Sequence, residues 1–310
     1  LTSTQVGALS SAQITALTTT QLPNFSVEGM QAFATAGLAA LSTAKIAALS
    51  DVQFGNLTTA QVSQLTTAQV QSLATSSKLS SITATQMAAL SSAQLVALTT
   101  DQWVALRKDQ INGLTSAQVS AIETTDLAKL STTQIAAFKT NISGFNTDQI
   151  VALTTAQVAS LDSTQIQALT SLQVPALETA DLVKLSSAQF NALTSGQIQA
   201  LSTLQLANLS TDQLANMTTE DVQALTTAQI SGLAAANINK LSTATLAAIE
   251  TADFAAMTSA QINALDTAHI VAMTTAQLRG LDSADFAAIS TAGIAALTSD
   301  QFNALTTTQV

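Results

Sequence analysis

The acidic residues are the side chains of this sequence whose types and spacing favour chemistry. Three pairs of carboxylates lie three residues apart: Glu178 with Asp181, Glu250 with Asp253, and Asp282 with Asp285. Paired carboxylates serve general acid–base catalysis or bind calcium. Both members of each pair, however, stand at positions where the start of a helix favours acids, so helix capping accounts for them. We predict no catalytic role for these pairs, and weak surface calcium binding is the alternative.

The single histidine, His269, is the other candidate for chemistry. A metal site or an acid–base centre needs a constellation of groups. The sequence holds no second histidine and no cysteine, so disulfides, thiolate metal sites and thiol nucleophiles are excluded. We predict that His269 is an exposed side chain in the first turn of a helix. The chain is therefore expected to have no catalytic, cofactor-binding or metal-binding residues, and not to be an enzyme.

Composition excludes several classes of partner. The 310 residues carry a formal net charge of −10, from 9 basic and 19 acidic residues, whereas nucleic acids and anionic membranes require a basic surface. The 47% hydrophobic content is too high for an ordinary disordered chain. No apolar run reaches the ~18 residues of a membrane span, so membrane insertion is not expected. No signal peptide is recognisable.

An eight-residue repeat organises the whole sequence, with the consensus L-[ST]-[ST]-A-Q-[IVLF]-x-A. Regular and irregular units follow in the order 1–72, 73–81 (one unit of nine residues), 82–137, 138–144 (one unit of seven residues) and 145–310. We predict one continuous array over residues 1–310. The irregular units should be local defects, a bulge at 73–81 and a tightened turn at 138–144. Because the sequence starts and stops within the same pattern, we expect it to be a segment of a longer chain.

Each unit carries the signals of a helix start. Position two is usually Ser or Thr and position five usually Gln, which is the pattern of a capping box, as in residues 153–158. Positions one and six are apolar and correspond to a hydrophobic staple. All 19 acids stand at positions two to five, where the helix macrodipole favours them. Basic residues at positions seven and eight agree with the same dipole; the exceptions are Lys45, Lys78, Arg107, Lys108 and Lys139.

Geometry favours one short helix per unit over the alternatives. In a continuous helix, eight residues overshoot two turns by roughly 80°, so the apolar stripe would wind around the rod. A β-solenoid is disfavoured by the abundant Ala, Gln and Leu. Pro23 and Pro175, both at position seven, should stop their helices after one turn. We predict an all-α solenoid of helices of about five to seven residues.

Such short helices are unstable alone, so neighbouring units must cover their apolar side chains. We expect positions one, six and eight to be buried, with the small Ala at position eight allowing close approach. All nine Phe and Trp103 stand at positions one or six and belong to this core. The sequence does not decide whether each solenoid turn contains two, three or four helices.

The phrases LTTAQV (57–62), LTTAQI (225–230) and LSSAQF (185–190) resemble the octad arrays of very large bacterial surface or secreted proteins of the adhesin type. The resemblance extends over the whole chain but includes no active-site residues. It implies an extracellular or cell-surface location and a fibrous or matrix role.

Three functions fit these observations. The first is the structural body of an extracellular filament, sheath or surface layer, whose partners are further copies of the chain, end to end and side by side. The charge-poor Ser/Thr/Gln surface supports it, because such a surface lacks the repulsion that keeps proteins monomeric. The second is a passive stalk in a giant adhesin. The third is a surface that binds ice, a mineral or polysaccharide through rows of Ser and Thr hydroxyls.

Overall fold

Short helices are the only regular secondary structure in the part of the chain that the computed structural model describes, residues 1–75 and 77–309. The chain forms two compact segments, which we call the first segment (Leu1–Ser160) and the second segment (Leu161–Val310). No helix among the described residues has the length and apolar character to cross a membrane.

The α-helices are four to six residues long. Those of the first segment are Ser3–Gly7, Ser11–Ala16, Val27–Gln31, Thr35–Ala39, Thr43–Ala48, Asp51–Gly55, Thr59–Ser63, Thr67–Gln71, Lys78–Ser81, Ala84–Ala89, Ser92–Val96, Thr100–Ala105, Lys108–Asn112, Ser116–Val119, Thr124–Leu127, Thr132–Ala137, Thr147–Ala152 and Thr155–Ala159. Those of the second segment are Ser163–Ala168, Thr179–Leu182, Ser187–Phe190, Ser195–Ala200, Thr203–Ala207, Thr211–Ala215, Thr219–Ala224, Thr227–Gly232, Ala235–Ile238, Thr243–Ala247, Thr251–Phe254, Ser259–Asn263, Thr267–Ala272, Thr275–Gly280, Ser283–Ala287, Thr291–Ala296 and Ser299–Asn303. The 3-10 segments are Leu22–Asn24, Lys139–Gly144 and Val174–Ala176.

The predicted capping box starts the helix of most units. In the helix Thr155–Ala159, the hydroxyl of Thr154 accepts the backbone N–H of Gln157 at 3.3 Å, and the Gln157 Oε1 accepts the backbone N–H of Thr154 at 2.8 Å. The helices are about one residue shorter than predicted, because position one of the next unit is already extended. Leu153, for example, has φ −63° and ψ 134°. This extended residue redirects the chain into the following helix.

The core of each segment consists of positions one and six, as predicted. Val62, Trp103 and Phe190 at position six are fully buried. The prediction for position eight was wrong: the alanines there are mostly half-buried, and only Ala137 and Ala224 are fully buried. Position five is the third buried position instead.

Successive turns stack in a regular way within each segment, which makes each a solenoid. The main helix contacts join units three apart, as between Thr59–Ser63 and Ala84–Ala89. Side-chain hydrogen bonds between turns join residues 25 to 32 positions apart. Each turn therefore takes between three and four units, which the sequence left open.

The two prolines end regular helix formation in their units, as predicted. Pro23 and Pro175 each lie in a three-residue 3-10 segment instead of an α-helix. Proline has no backbone N–H to donate and its ring clashes with the preceding turn, so a longer helix is excluded there.

The irregular units depart locally from the regular helix pattern. In unit 73–81 the helix starts late, at Lys78, after Ser77 with φ −130° and ψ −84° and without a capping bond. Ser76, which belongs to this unit and to its predicted bulge at 73–81, lies outside the described residues. In unit 138–144 the α-helix is replaced by a 3-10 segment, and Lys139 adopts φ 49°. One missing residue is thus absorbed by a tighter helix and a left-handed residue.

Candidate functional site

The buried glutamine at position five is the polar group that recurs at every turn. The Gln61 side chain is 1% exposed, and its Oε1 accepts the backbone N–H of Thr58 at 2.9 Å. Its Nε2 donates to the backbone oxygens of Met30 at 2.8 Å and Phe33 at 3.0 Å, one turn earlier. A single amide therefore caps its own helix and also joins two turns.

This arrangement repeats along both segments, and we call it the glutamine ladder. In the first segment it is formed by Gln53, Gln61, Gln69, Gln86, Gln94, Gln102, Gln110, Gln118, Gln134, Gln149 and Gln157. In the second segment it is formed by Gln189, Gln197, Gln205, Gln213, Gln229, Gln261, Gln277, Gln301 and Gln309. Sequence reasoning missed this role, although one signal was present. Glutamate would complete a capping box equally well, so the preference for Gln indicates that the amide N–H groups have a partner.

The acid pairs are not assembled into a catalytic site. Capping explains Asp282, whose Oδ1 accepts the backbone N–H of Asp285 at 2.8 Å. It was the wrong explanation for Glu178 and Glu250, which stand at the cap position without a side-chain capping bond. The glutamate side chain is one methylene longer, and it does not adopt the capping geometry that Asp, Ser and Thr reach.

The partners of these cap residues, at position five, contact the preceding turn. The Oδ1 of Asp253 accepts the Thr227 hydroxyl at 2.5 Å, and the Oδ1 of Asp285 accepts the Ser259 hydroxyl at 2.6 Å. A carboxylate has no N–H to donate to the backbone oxygens that glutamine reaches, and it accepts a hydroxyl instead. Within the described residues, no three acidic or histidine side chains are grouped so as to hold a metal ion.

His269 is buried at 6% exposure, so the prediction of an exposed side chain was wrong. Its Nε2 lies 2.8 Å from the backbone oxygen of Leu241 in the preceding turn, and its Nδ1 lies 2.8 Å from the Asp266 Oδ1. The imidazole thus takes the place of a ladder glutamine, with each ring nitrogen within hydrogen-bonding distance of an oxygen. The backbone N–H and then the side chain of His269 lower the pKa of Asp266 by donating hydrogen bonds to it.

The first turn of the first segment presents unused donors. The side chains of Gln5, Gln13 and Gln21 are exposed, and their Nε2 atoms donate no hydrogen bond to a described residue. Leu1, at position one of the same turn, is 78% exposed. This edge therefore combines free amide donors with apolar side chains.

The last turn of the second segment presents backbone oxygens of the kind to which ladder glutamines donate. The backbone oxygens of Ile289 and Leu297 stand where ladder amides donate elsewhere, and they accept no side-chain N–H from a described residue. Ile294 and Phe302, at position six, are 37% and 61% exposed, whereas the same position is fully buried inside the arrays. This edge combines free acceptors with apolar side chains.

Comparison with known proteins identifies the repeat. The profile of the ALTTAQ repeat matches residues 30–67, 119–155, 142–178, 174–211, 246–283 and 278–310. No curated protein matches the chain. The matched segments cover more than half of the sequence, and they include the Gln of the ladder in its LTTAQ context. The chain therefore belongs to the ALTTAQ repeat family.

Proposed function

We propose that this chain is a non-catalytic structural element, the repeating body of an extracellular filament, sheath or surface layer. The repeat array and its all-helical fold are typical of structural proteins. The observation that supports assembly is the complementarity of the two edges: Gln5, Gln13 and Gln21 offer amide donors, and the last turn offers unused backbone oxygens.

The geometry of this junction follows from the contact inside each array. Most ladder glutamines donate to a position-six oxygen and a position-one oxygen of the preceding turn, as Gln309 does to Leu278 at 2.8 Å and Leu281 at 2.9 Å. The last turn offers the next equivalents of these oxygens, and its exposed apolar residues match the apolar residues of the first turn. A further turn, whether of the same chain or of another copy placed head to tail, thus satisfies each edge. A heterologous contact between copies generates fibres when its rotation does not close into a ring.

The composition of the lateral surface agrees with an assembled role. Only 9% of the residues are charged, and Ser, Thr and Gln provide most of the exposed polar groups. Low charge promotes association, and hydroxyls and amides provide hydrogen bonds between neighbours. The extracellular location is part of the proposal and rests on the resemblance to bacterial surface proteins.

The test is to follow end-to-end joining of the purified chain. At about 0.5 M salt, where electrostatic contacts are screened, we expect electron microscopy and sedimentation to show linear polymers that lengthen with protein concentration. The variant with Gln5, Gln13 and Gln21 replaced by Glu keeps the capping boxes but places carboxylates against backbone oxygens. It should remain short.

A matched control separates the edge from a general charge effect. Replacing the exposed position-seven residues Gln167, Gln199 and Gln223 by Glu adds the same charge away from both edges, and polymers should still form. Compact, monodisperse monomers of the unaltered chain at every concentration would contradict the filament proposal and favour the stalk alternative.

A further inference from the structure

Three turns of the first segment depart from the repeat pattern in units that lie four apart. Unit 73–81 has an extra residue, unit 106–113 has Arg107 in place of the capping hydroxyl, and unit 138–144 lacks a residue. Each departure introduces one or two cations: Lys78 in the first of these units, Arg107 and Lys108 in the second, and Lys139 in the third. Four of the nine basic residues of the chain are therefore concentrated in three units.

Two of these cations are already neutralised. The Lys78 Nζ lies 3.8 Å from the Asp51 Oδ1. The Arg107 Nε and Nη2 donate to the two carboxylate oxygens of Asp109 at 3.0 and 2.9 Å, and this guanidinium lowers the pKa of Asp109. Arg107 also donates to the backbone oxygens of Ser80 and Ile82 in the preceding turn.

The other two cations face an open cleft without a partner. Lys108 and Lys139 are exposed and form no ion pair or hydrogen bond with any described residue. Together with Asn112, Thr133 and Asp109, whose carboxylate is paired with Arg107, they line a cavity of about 390 Å³ between the helices Lys108–Asn112 and Thr132–Ala137. We call this cavity the basic cleft.

Local stability does not explain these two lysines. Lys108 stands in the first turn of its helix, where the macrodipole disfavours a cation. Lys139 has φ 49°, and it is the one non-glycine with a positive φ among the described residues. The missing residue of unit 138–144 accounts for this backbone conformation, but a residue with a Cβ is strained in it, so a lysine there costs stability. The cleft thus holds two cations that cost stability and that form no ion pair with a described residue.

The charge distribution of the chain itself provides a complementary partner. The first segment has six basic and seven acidic residues, whereas the second has three basic and twelve acidic residues. Eight of these twelve acids are exposed: Asp162, Glu178, Asp212, Glu220, Glu250, Asp266, Asp282 and Asp300. The net charges are therefore −1 and −9, so the basic cleft of one copy is attracted to the second segment of another.

We propose that the basic cleft binds an exposed carboxylate on the second segment of a second copy, so that neighbouring copies associate side by side. This inference rests on the proposed structural function and adds to it a lateral contact, distinct from the head-to-tail junction. The contact is electrostatic and solvent-exposed, and it is therefore weak and sensitive to salt.

The test compares the variant Lys108→Glu/Lys139→Glu with Lys184→Glu/Lys240→Glu. The second pair are exposed lysines of the second segment, and both variants change the net charge equally. Circular dichroism checks that each is folded. At about 0.05 M salt, sedimentation of the unaltered chain should show lateral association. The cleft variant should weaken it on the order of tenfold, as expected for a few exposed ion pairs, and the control should retain it.

Three results would overturn the inference: no lateral association of the unaltered chain at low salt, equal association of the two variants, or lateral association that high salt leaves unchanged. Retention of the chain on an immobilised anionic polysaccharide through Lys108 and Lys139, without lateral association, would assign the cleft to that ligand instead. Fibre length at high salt reports the head-to-tail junction and fibre width at low salt reports the cleft. The two proposals therefore fail separately.

Discussion

Replacing Gln61 by Glu is the sharpest test of the glutamine ladder, because it changes one NH2 group to an oxygen and keeps the shape. The Oε1 still accepts the N–H of Thr58, so the capping box survives. The backbone oxygens of Met30 and Phe33, at 2.8 and 3.0 Å, however, lose the amide N–H of Gln61 and face a carboxylate oxygen instead. We expect the variant to be destabilised at neutral pH.

The magnitude follows from the contacts. Two hydrogen bonds at about 1 kcal/mol each are lost. The Met30 oxygen keeps the backbone N–H of Phe33 at 3.2 Å, whereas the Phe33 oxygen is left without a donor from a described residue, at a further ~0.5–1.5 kcal/mol. The expected loss in the free energy of unfolding is therefore about 2.5–3.5 kcal/mol. Burial beside two oxygens raises the pKa of the introduced carboxyl, because it disfavours the charged form. With the folded pKa above the unfolded value, the loss should be smallest at acidic pH and grow as the pH rises through the folded pKa.

Gln13→Glu is the matched control, since Gln13 has the same capping bond, at 2.8 Å to the backbone N–H of Ser10, but its Nε2 donates no hydrogen bond to a described residue. It should change the unfolding free energy by less than ~0.5 kcal/mol. Both variants are measured by urea unfolding at low protein concentration, with circular dichroism and the fluorescence of the buried Trp103 as probes. If Gln61→Glu costs no more than Gln13→Glu, the ladder does not hold the turns together and our reasoning is refuted.

Three further variants test packing and charge. Gly113→Ala should destabilise by about 1–3 kcal/mol, because the new Cβ would lie 2.6 Å from a backbone oxygen of the preceding turn. Gly196→Ala, with nothing within 4 Å, should stabilise by about 0.4–1 kcal/mol, and equal effects in thermal unfolding would contradict this packing. Trp103→Ala should cost about 3–5 kcal/mol in urea unfolding, as for a fully buried aromatic side chain. Asp266→Asn should cost up to ~1 kcal/mol at neutral pH, because hydrogen bonds from His269 lower the folded pKa of Asp266. That contribution is complete above about pH 4 and disappears as the pH falls through the folded pKa, so a difference that persists well below it would be evidence against the pairing.

Much of the local structure was predictable from the sequence because its causes are local. A hydroxyl at position two and a Gln at position five determine where a helix starts, as at Thr154 and Gln157. Pro23 and Pro175 exclude a regular helix in their own units wherever those units lie in the fold. Trp103 was placed in the core for the same reason, since position six is apolar in every regular unit.

The contacts between turns could not be predicted in the same way. His269 was expected to be exposed because position five faces outward in an isolated capped helix. It is buried because the preceding turn covers that face. The basic cleft likewise appears only when Lys108 and Lys139, 31 residues apart, meet across one turn.

The sequence by itself determined the repeat, the helix starts and the two core positions, since capping and staple contacts form within six consecutive residues. Tertiary structure decided that a turn takes between three and four units, and with it the burial of Gln61 against the preceding turn. The physical reason is that stacking depends on the small rotation between successive short helices. That rotation arises from packing over some thirty residues, and no single unit contains it.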